Sequence, residues 1–265
     1  MQINYKKVCL KVVKIARNTG KELRKKRSSV KLEINSKGLN DFVTQFDTET
    51  ESKLISELGK LLPEAKFIAE ESASIKREGK YQWIIDPIDG TTNFIHGLYP
   101  YSISIALMED EKIVVGVIYE VGLDECFYAY KSGVAMLNGK EIKVSHANSV
   151  ADSLVAVGFP YTNFILIDKY MESLHFFMKN THGLRRLGSA AVDLAYLACG
   201  RVDAFYEYDL KPWDVAAGSF IVQQAGGKNS DFSGGSDYIF GREIISTNGL
   251  IHEEFLKSAK SFLKA

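Results

Sequence analysis

Trp83-Ile84-Ile85-Asp86-Pro87-Ile88-Asp89-Gly90-Thr91-Thr92-Asn93-Phe94 decides how the rest of the chain is read. The large apolar residues Trp83 to Ile85 predict a buried strand with Asp86 at its end. Pro87 has no N–H to give a ladder, so the chain is expected to turn there. Such a turn swings Asp89 back toward Asp86 and leaves the Ile88 carbonyl exposed beside them. Two carboxylates and a carbonyl so close together make a hard-oxygen set, which suits Mg2+. Gly90-Thr91-Thr92 then opens a short helix or turn whose free N–H groups can hold a phosphate. A metal site beside an anion cradle is what phosphoryl chemistry needs. Read alone, the stretch is equally an ordinary turn, because Asp-Pro and Asp-Gly are turn formers.

Upstream, Glu70-Glu71-Ser72 follows the apolar run Lys66-Phe-Ile-Ala, which puts Glu70 at a strand end. On its own such an acidic pair reads as solvated surface. Asp47 stands near the start of a second helix, from about Asp47 to Leu62, where capping is an ordinary use of aspartate. Asn35-Ser-Lys-Gly-Leu-Asn40 reads as a polar loop. A first helix, about Asn4 to Arg27, carries Tyr5, Val8, Val12, Ile15, Thr19 and Leu23 at helical spacing. It ends in Lys21, Arg24, Lys25, Lys26 and Arg27, a cluster that suits a solvated helix face at a C-terminus.

Downstream, Ser102–Leu107, Ile113–Tyr119 and Cys126–Tyr130 predict strands with short links, and Asn138-Gly139 predicts a hairpin. These make a largely antiparallel sheet. After about Ala151 strands and helices alternate, as in an α/β unit. Trp213-Asp214 opens a helix, Val215 to Gln224, that is apolar almost all round and therefore buried. Asp214 then stands at the inner end of a buried element, and a buried carboxylate needs a cation or donors. Capping and metal ligation can coexist there. Glu207, after Ala204–Tyr206, reads by itself as a surface carboxylate. His96 has no second acid or base beside it in the sequence. Arg185 and Arg186 suit either a phosphate contact or packing.

The bulk numbers exclude whole classes of function. The chain has 265 residues, 46% of them hydrophobic, so it can bury a substantial core and is no disordered chain. Its 33 basic residues balance 33 acidic ones. No global basic field draws it to nucleic acid or a membrane, and charge chemistry must be local. The three cysteines, Cys9, Cys126 and Cys199, are scattered and suit free thiols in a reducing compartment. No signal peptide and no apolar run of about 18 residues is visible, so a cytoplasmic protein without a membrane span is expected. With no linker between the halves, one compact domain over 1–265 is expected. Its first part, 1–150, holds helices and the antiparallel sheet, and its second, 151–265, the α/β half.

Taken together, the motifs resemble the inositol monophosphatase family of Mg2+-dependent, lithium-sensitive phosphatases. The resemblance runs over nearly the whole chain. It rests on Asp41-x-Val-Thr-x-x-Asp47, Ala69-Glu-Glu-Ser72, the stretch from Trp83 on to His96-Gly97, Gly188-Ser-Ala-Ala191, Glu207 and Trp213-Asp-Val-Ala-Ala-Gly218. Thr91-Thr92-Asn93-Phe94 looks like the inositol phosphatase branch, where related nucleotide 3′-phosphatases usually begin Thr-Lys-Gly-Phe. Ser189 and Lys211 look bacterial, since animal members tend to have Thr and His there.

The resemblance implies a five-layer αβαβα sandwich, an α+β protein with an α/β half. It implies that Glu70, Asp86 and the Ile88 carbonyl hold one Mg2+, that Asp86, Asp89 and Asp214 hold a second, and that a third ion sits near Glu70. Glu70 and Thr91 would position the attacking water, and Asp47 would orient Thr91. Gly90 and Thr91 would hold the phosphate. Asp89, Gly188, Ser189, Ala190 and Glu207 would hold the alcohol. The activity implied is hydrolysis of myo-inositol monophosphate, with inhibition by Li+ and a homodimeric assembly. Fructose 1,6-bisphosphate or nucleotide phosphates such as NADP are the alternative substrates, and a regulatory binding protein on the same fold is the alternative class.

Overall fold

The computed structural model describes residues 3–27, 34–38, 41–72 and 79–263. From the N-terminus come helix α1 (Tyr5–Arg27), strands β1 (Ile34–Gly38) and β2 (Asp41–Thr44), and helix α2 (Gln45–Leu61). The polar loop expected at Asn35–Asn40 is instead largely strand. β1 pairs antiparallel with β2 from Ile34 opposite Thr44 to Gly38 opposite Asp41, while positions 39 and 40 lie outside the described residues. Backbone pairing needs no apolar side chains, which is why composition hid it.

β3 (Lys66–Ala69) and β4 (Tyr81–Asp89) run parallel, and helix α3 (Thr91–His96) follows. β5 (Ser102–Glu109), β6 (Lys112–Glu120), β7 (Glu125–Tyr130), β8 (Met136–Leu137) and β9 (Lys140–Glu141) then add antiparallel, in chain order, to complete seven strands. The hairpin at Asn138-Gly139 joins β8 to β9, with both residues at positive φ.

The second half contributes β10 (Leu154–Val157), α4 (Ile167–Asn180), β11 (Gly183–Arg185), α5 (Ala190–Ala198), β12 (Ala204–Tyr208), α6 (Pro212–Gln224), β13 (Lys228–Ser230), β14 (Glu243–Thr247) and α7 (His252–Leu263). Its five strands are ordered β11-β10-β12-β14-β13. β10 is parallel to both neighbours, and the two pairs made by β14 are antiparallel. β13 is an edge strand that the polar run Lys228-Asn-Ser did not announce. α6 begins at Pro212, three residues earlier than Val215, because proline suits the first helical turn.

The layers follow from strand alternation. Trp83 and Ile85 of β4, with Ile103, Ile105 and Leu107 of β5, pack under α1 and α2. Ile84, Ala106, Met108 and Ile118 face the other way, onto α5 and α6. In the smaller sheet Phe205 points inward to the same pair of helices, whereas Tyr206 and Ile245 point outward onto α4 and α7. The order is therefore helices, seven-stranded sheet, helices, five-stranded sheet, helices: the five-layer sandwich.

The basic end of α1 is not simply a solvated face. Arg27 donates from Nε to Phe94 O at 2.7 Å and from Nη2 to Ile95 O at 2.8 Å, filling carbonyls at the end of α3. Arg24 donates to Gly122 O. Cys9 and Cys126 are buried, Cys199 is partly so, and all three are free thiols. No helix among the described residues is long and apolar enough to cross a membrane.

Candidate active site

Asp86 and Asp89 are three apart in β4, so in a regular strand they would point to opposite faces. The register corrects this. Asp86 lies opposite Ser104 and Asp89 opposite Ser102, so Pro87 and Ile88 together face Ile103. This bulge adds one residue and returns both aspartates to the same face. The chain therefore does not leave the sheet at Pro87, as the sequence suggested; the bulge absorbs the missing N–H and pairing resumes. Ile88 N–H donates to Asp86 Oδ1 at 2.9 Å and fixes the kink.

Asp214 arrives from the middle layer. It is the third residue of α6 rather than its cap, and Lys211 N–H donates to its Oδ2 at 2.6 Å. Ser104 Oγ–H donates to Trp213 O, tying this turn to β5. One carboxylate oxygen from each of Asp86, Asp89 and Asp214 lies within 4.8 Å of the others. Glu70 lines the same cleft, and its charge acts on Asp86.

Burial, then the charges of Glu70, Asp89 and Asp214, hold the Asp86 carboxyl well above the usual range. Burial pushes Asp214 up to about 7, with the charge of Asp89 adding to it and the Lys211 N–H opposing. Burial raises Asp89 to about 6 against the hydrogen bonds it accepts from Ser189, Ala191 and Ala190. No Lys or Arg among the described residues forms an ion pair with these three aspartates. Clustered, buried oxygen acceptors in no ion pair with a side chain fit a divalent cation.

Asp89 also joins the two halves. Its Oδ2 accepts the Ser189 hydroxyl and the Ala191 N–H, the latter at 2.8 Å, at the start of α5. Ser189 in turn accepts Val192 N–H. The sheet thus caps a helix of the other half, and Ser189 and Ala190 are brought to the cleft.

Thr91 opens α3. Its hydroxyl has two acceptors, Ile88 O at 3.0 Å and Asp47 Oδ1 at 3.3 Å. Asp47 is fully buried and accepts the Thr44 N–H and hydroxyl on Oδ2, at 2.7 and 2.6 Å, in a capping box at the start of α2. Capping and the Thr91 contact coexist on its two oxygens, and Asp47, which does not line the cleft, touches Thr91, which does. Gly90 has φ 97°, and a Cβ there would stand 3.0 Å from Gly188 O. Asn93 Nδ2 donates to Pro100 O and Leu187 O, both at 2.8 Å, and holds the Gly188 turn against α3.

The facing wall is also acidic. Strand alternation puts Glu207 on the inward face with Phe205, so it is buried rather than at the surface. A Cβ on Gly158 would lie 1.8 Å from Glu207 Oε2, so bare backbone makes room for this carboxylate. Burial, then the charge of Asp193, raises Glu207 well above its usual range.

Asp193 was not singled out from the sequence, where it reads as one acid in an apolar helix. It is 1% exposed, lines the cleft, and its Oδ1 has no hydrogen-bond partner among the described residues. Arg186 lies between the walls, donating to Tyr161 Oη at 2.6 Å with its guanidinium over the Phe159 and Tyr161 rings. Arg185 is exposed and turns back to Leu184 O. His96 is exposed and outside the cleft. The whole is a cleft of about 350 Å³ that brings together Glu70, Asp86, Ile88, Asp89, Gly90, Thr91, Gly188, Ser189, Ala190, Glu207 and Asp214.

The model of the inositol monophosphatase family matches residues 5–263. The chain belongs to this family. The fructose-1,6-bisphosphatase/inositol-1-monophosphatase of Thermotoga maritima is 41% identical over 220 residues, 83% of each chain. The Nus factor SuhB of Escherichia coli is 38% identical over 233 residues, 88% of this chain and 87% of that one. The crystal structure of the extragenic suppressor protein suhB from Bartonella henselae superposes with a TM-score of 0.89 at 37% identity, covering 94% of this chain and 96% of that one. As a member of the inositol monophosphatase family the chain is a phosphoric monoester hydrolase.

Proposed function

We propose that this chain hydrolyses myo-inositol monophosphate to inositol and phosphate by direct attack of water, with Mg2+ as cofactor. The observation that carries the reading is the buried triad Asp86, Asp89 and Asp214, within 4.8 Å and in no ion pair with a described Lys or Arg, beside Thr91. Glu70, Asp86 and the Ile88 carbonyl would hold one ion, and Asp86, Asp89 and Asp214 a second. Glu70 leaves room for a third through water, and Li+ would compete for these oxygens. Bound Mg2+ supplies Lewis acidity to the attacking and leaving oxygens.

The rest falls to the chain's own groups. Ile88 O and Asp47 accept the Thr91 proton, so a Thr91 lone pair can accept a hydrogen from the attacking water. Glu70 accepts the water's other hydrogen and fixes its direction. Gly90 and Thr91 N–H groups receive phosphate oxygens. Asp89, Gly188, Ser189, Ala190 and Glu207 surround the alcohol. A cysteinyl-phosphate route lacks its nucleophile: burial pushes the thiols of Cys9, Cys126 and Cys199 up, and none of the three lines the cleft.

Phosphate release from myo-inositol 1-phosphate, fructose 1,6-bisphosphate and NADP, each with Mg2+ and with EDTA, tests this. The expected result is Mg2+-dependent turnover with inositol phosphate the best of the three. Negligible turnover of inositol 1-phosphate beside a good rate on another substrate overturns the substrate. No metal-dependent release from any overturns the whole reading.

A further inference from the structure

Asp193 has no part in the scheme above, yet its position is costly. It lies in the first turn of α5, where an acid ordinarily serves the helix dipole from the surface. Here that place is already taken. The opening N–H groups of α5 are answered by Asp89, across from the sheet, and by Ser189. Asp193 is instead buried to 1% exposure with Oδ1 unpartnered, and its wall of the cleft is the one that holds Glu207. Asp193 and Glu207 line the same cleft, on α5 and β12, which pack against one another. Neither belongs to the metal-spaced triad. An unsatisfied buried acceptor costs stability unless a ligand supplies its donor. Ionised carboxylates accept hydrogen bonds, and hydroxyls of a ligand in the cleft can answer them alongside the Arg186 guanidinium.

We infer that Asp193 is a second specificity-determining acceptor for the leaving alcohol. With Glu207 it receives two neighbouring hydroxyls, so the chain selects phosphates of polyols that carry adjacent O–H groups. The inference rests on the reading of the cleft as a polyol phosphatase site.

The test is steady-state kinetics in Mg2+ of the wild type, Asp193→Asn and Asp193→Ala on two substrates. Myo-inositol 1-phosphate has the hydroxyls, and phenyl phosphate has none. The selectivity, kcat/KM for inositol phosphate over that for phenyl phosphate, is expected to fall about 10- to 100-fold, the worth of one hydrogen bond to a charged group, through KM rather than kcat. Thermal unfolding accompanies it. Because Asp193 leaves an oxygen unpaired, Asp193→Asn is expected to melt no lower than wild type and gives the readout even where Asp193→Ala fails to fold. Equal losses on both substrates, or an unchanged ratio, overturn the inference and leave the phosphatase reading standing. A wild type that turns over neither substrate overturns both.

Discussion

The two walls of the cleft are both lined with carboxylates, and they are built in opposite ways. On the sheet side every aspartate also closes a piece of backbone. Asp86 takes the Ile88 N–H of the bulge, Asp89 the start of α5, and Asp214 the Lys211 N–H before α6. On the facing side no described backbone N–H reaches Glu207 or the Oδ1 of Asp193. Those two are placed by what surrounds them, the bare Gly158 and the Arg186 guanidinium. An acid that caps its own neighbourhood is positioned by local geometry, and under the proposed function it would do double duty for fold and chemistry. An acid parked among neighbours would, under the same proposal, serve the ligand alone.

The sharpest way to break this contrast is Asp89→Ala. In Mg2+ it should cut kcat/KM by about a thousandfold, roughly 4 kcal/mol of transition-state stabilisation. It should also lower stability by about 1–2 kcal/mol, because the start of α5 loses its acceptor. Activity within tenfold of wild type, or an unchanged melting point, would remove the double role. Gly158→Ala probes the opposite wall. The new methyl would occupy the place of Glu207 Oε2, so KM for inositol phosphate should rise about tenfold, at an overpacking cost of about 1–3 kcal/mol. An unchanged KM would mean that Glu207 is not held there by the glycine.

The smallest expected effect is on pH dependence. Burial raises Asp89 to about 6 and Asp214 to about 7 in the fold, against 3.8 ordinarily. Their contribution to the stability of the metal-free protein is therefore full below about pH 4 and is lost as pH rises through those values. His252, lowered to about 4 by burial, works the other way: its contribution is present above its ordinary 6.5 and is lost as pH falls through 4. It cancels in the difference between samples with and without Mg2+. That difference in Tm should grow by a few degrees between pH 5 and 8, as the carboxylates become free to bind the ion. A flat difference would separate the aspartates from metal binding.

How much was legible in the sequence follows the same division. The acid-bearing stretch from Trp83 to Phe94 could be read because its parts act on one another locally, a strand, a proline and a glycine within a few residues. Even there the turn proved to be a bulge, since nothing in one strand's sequence tells what its partner's register will be. Glu207 could have been assigned inward from alternation with Phe205, a signal that one apolar neighbour made faint. Asp193 was out of reach, because its burial comes from helix and sheet elements packed on α5 that no pattern within that helix announces. Arg27 likewise gains its partners only when α3 is packed against α1. β1 and β13 escaped because backbone pairing, not side-chain pattern, defines them.

The bulge at Pro87 and Ile88 makes the length of chain between the two aspartates a structural quantity. Replacing either residue by another leaves Asp86 and Asp89 on one side of the sheet. Losing one of the two removes the bulge and leaves the aspartates two positions apart, still on one face by plain alternation, but without the kink that the Ile88 N–H closes on Asp86. Point changes and length changes are thus unequal events at this place. Within this segment the inherited quantity is first its length and only then its letters.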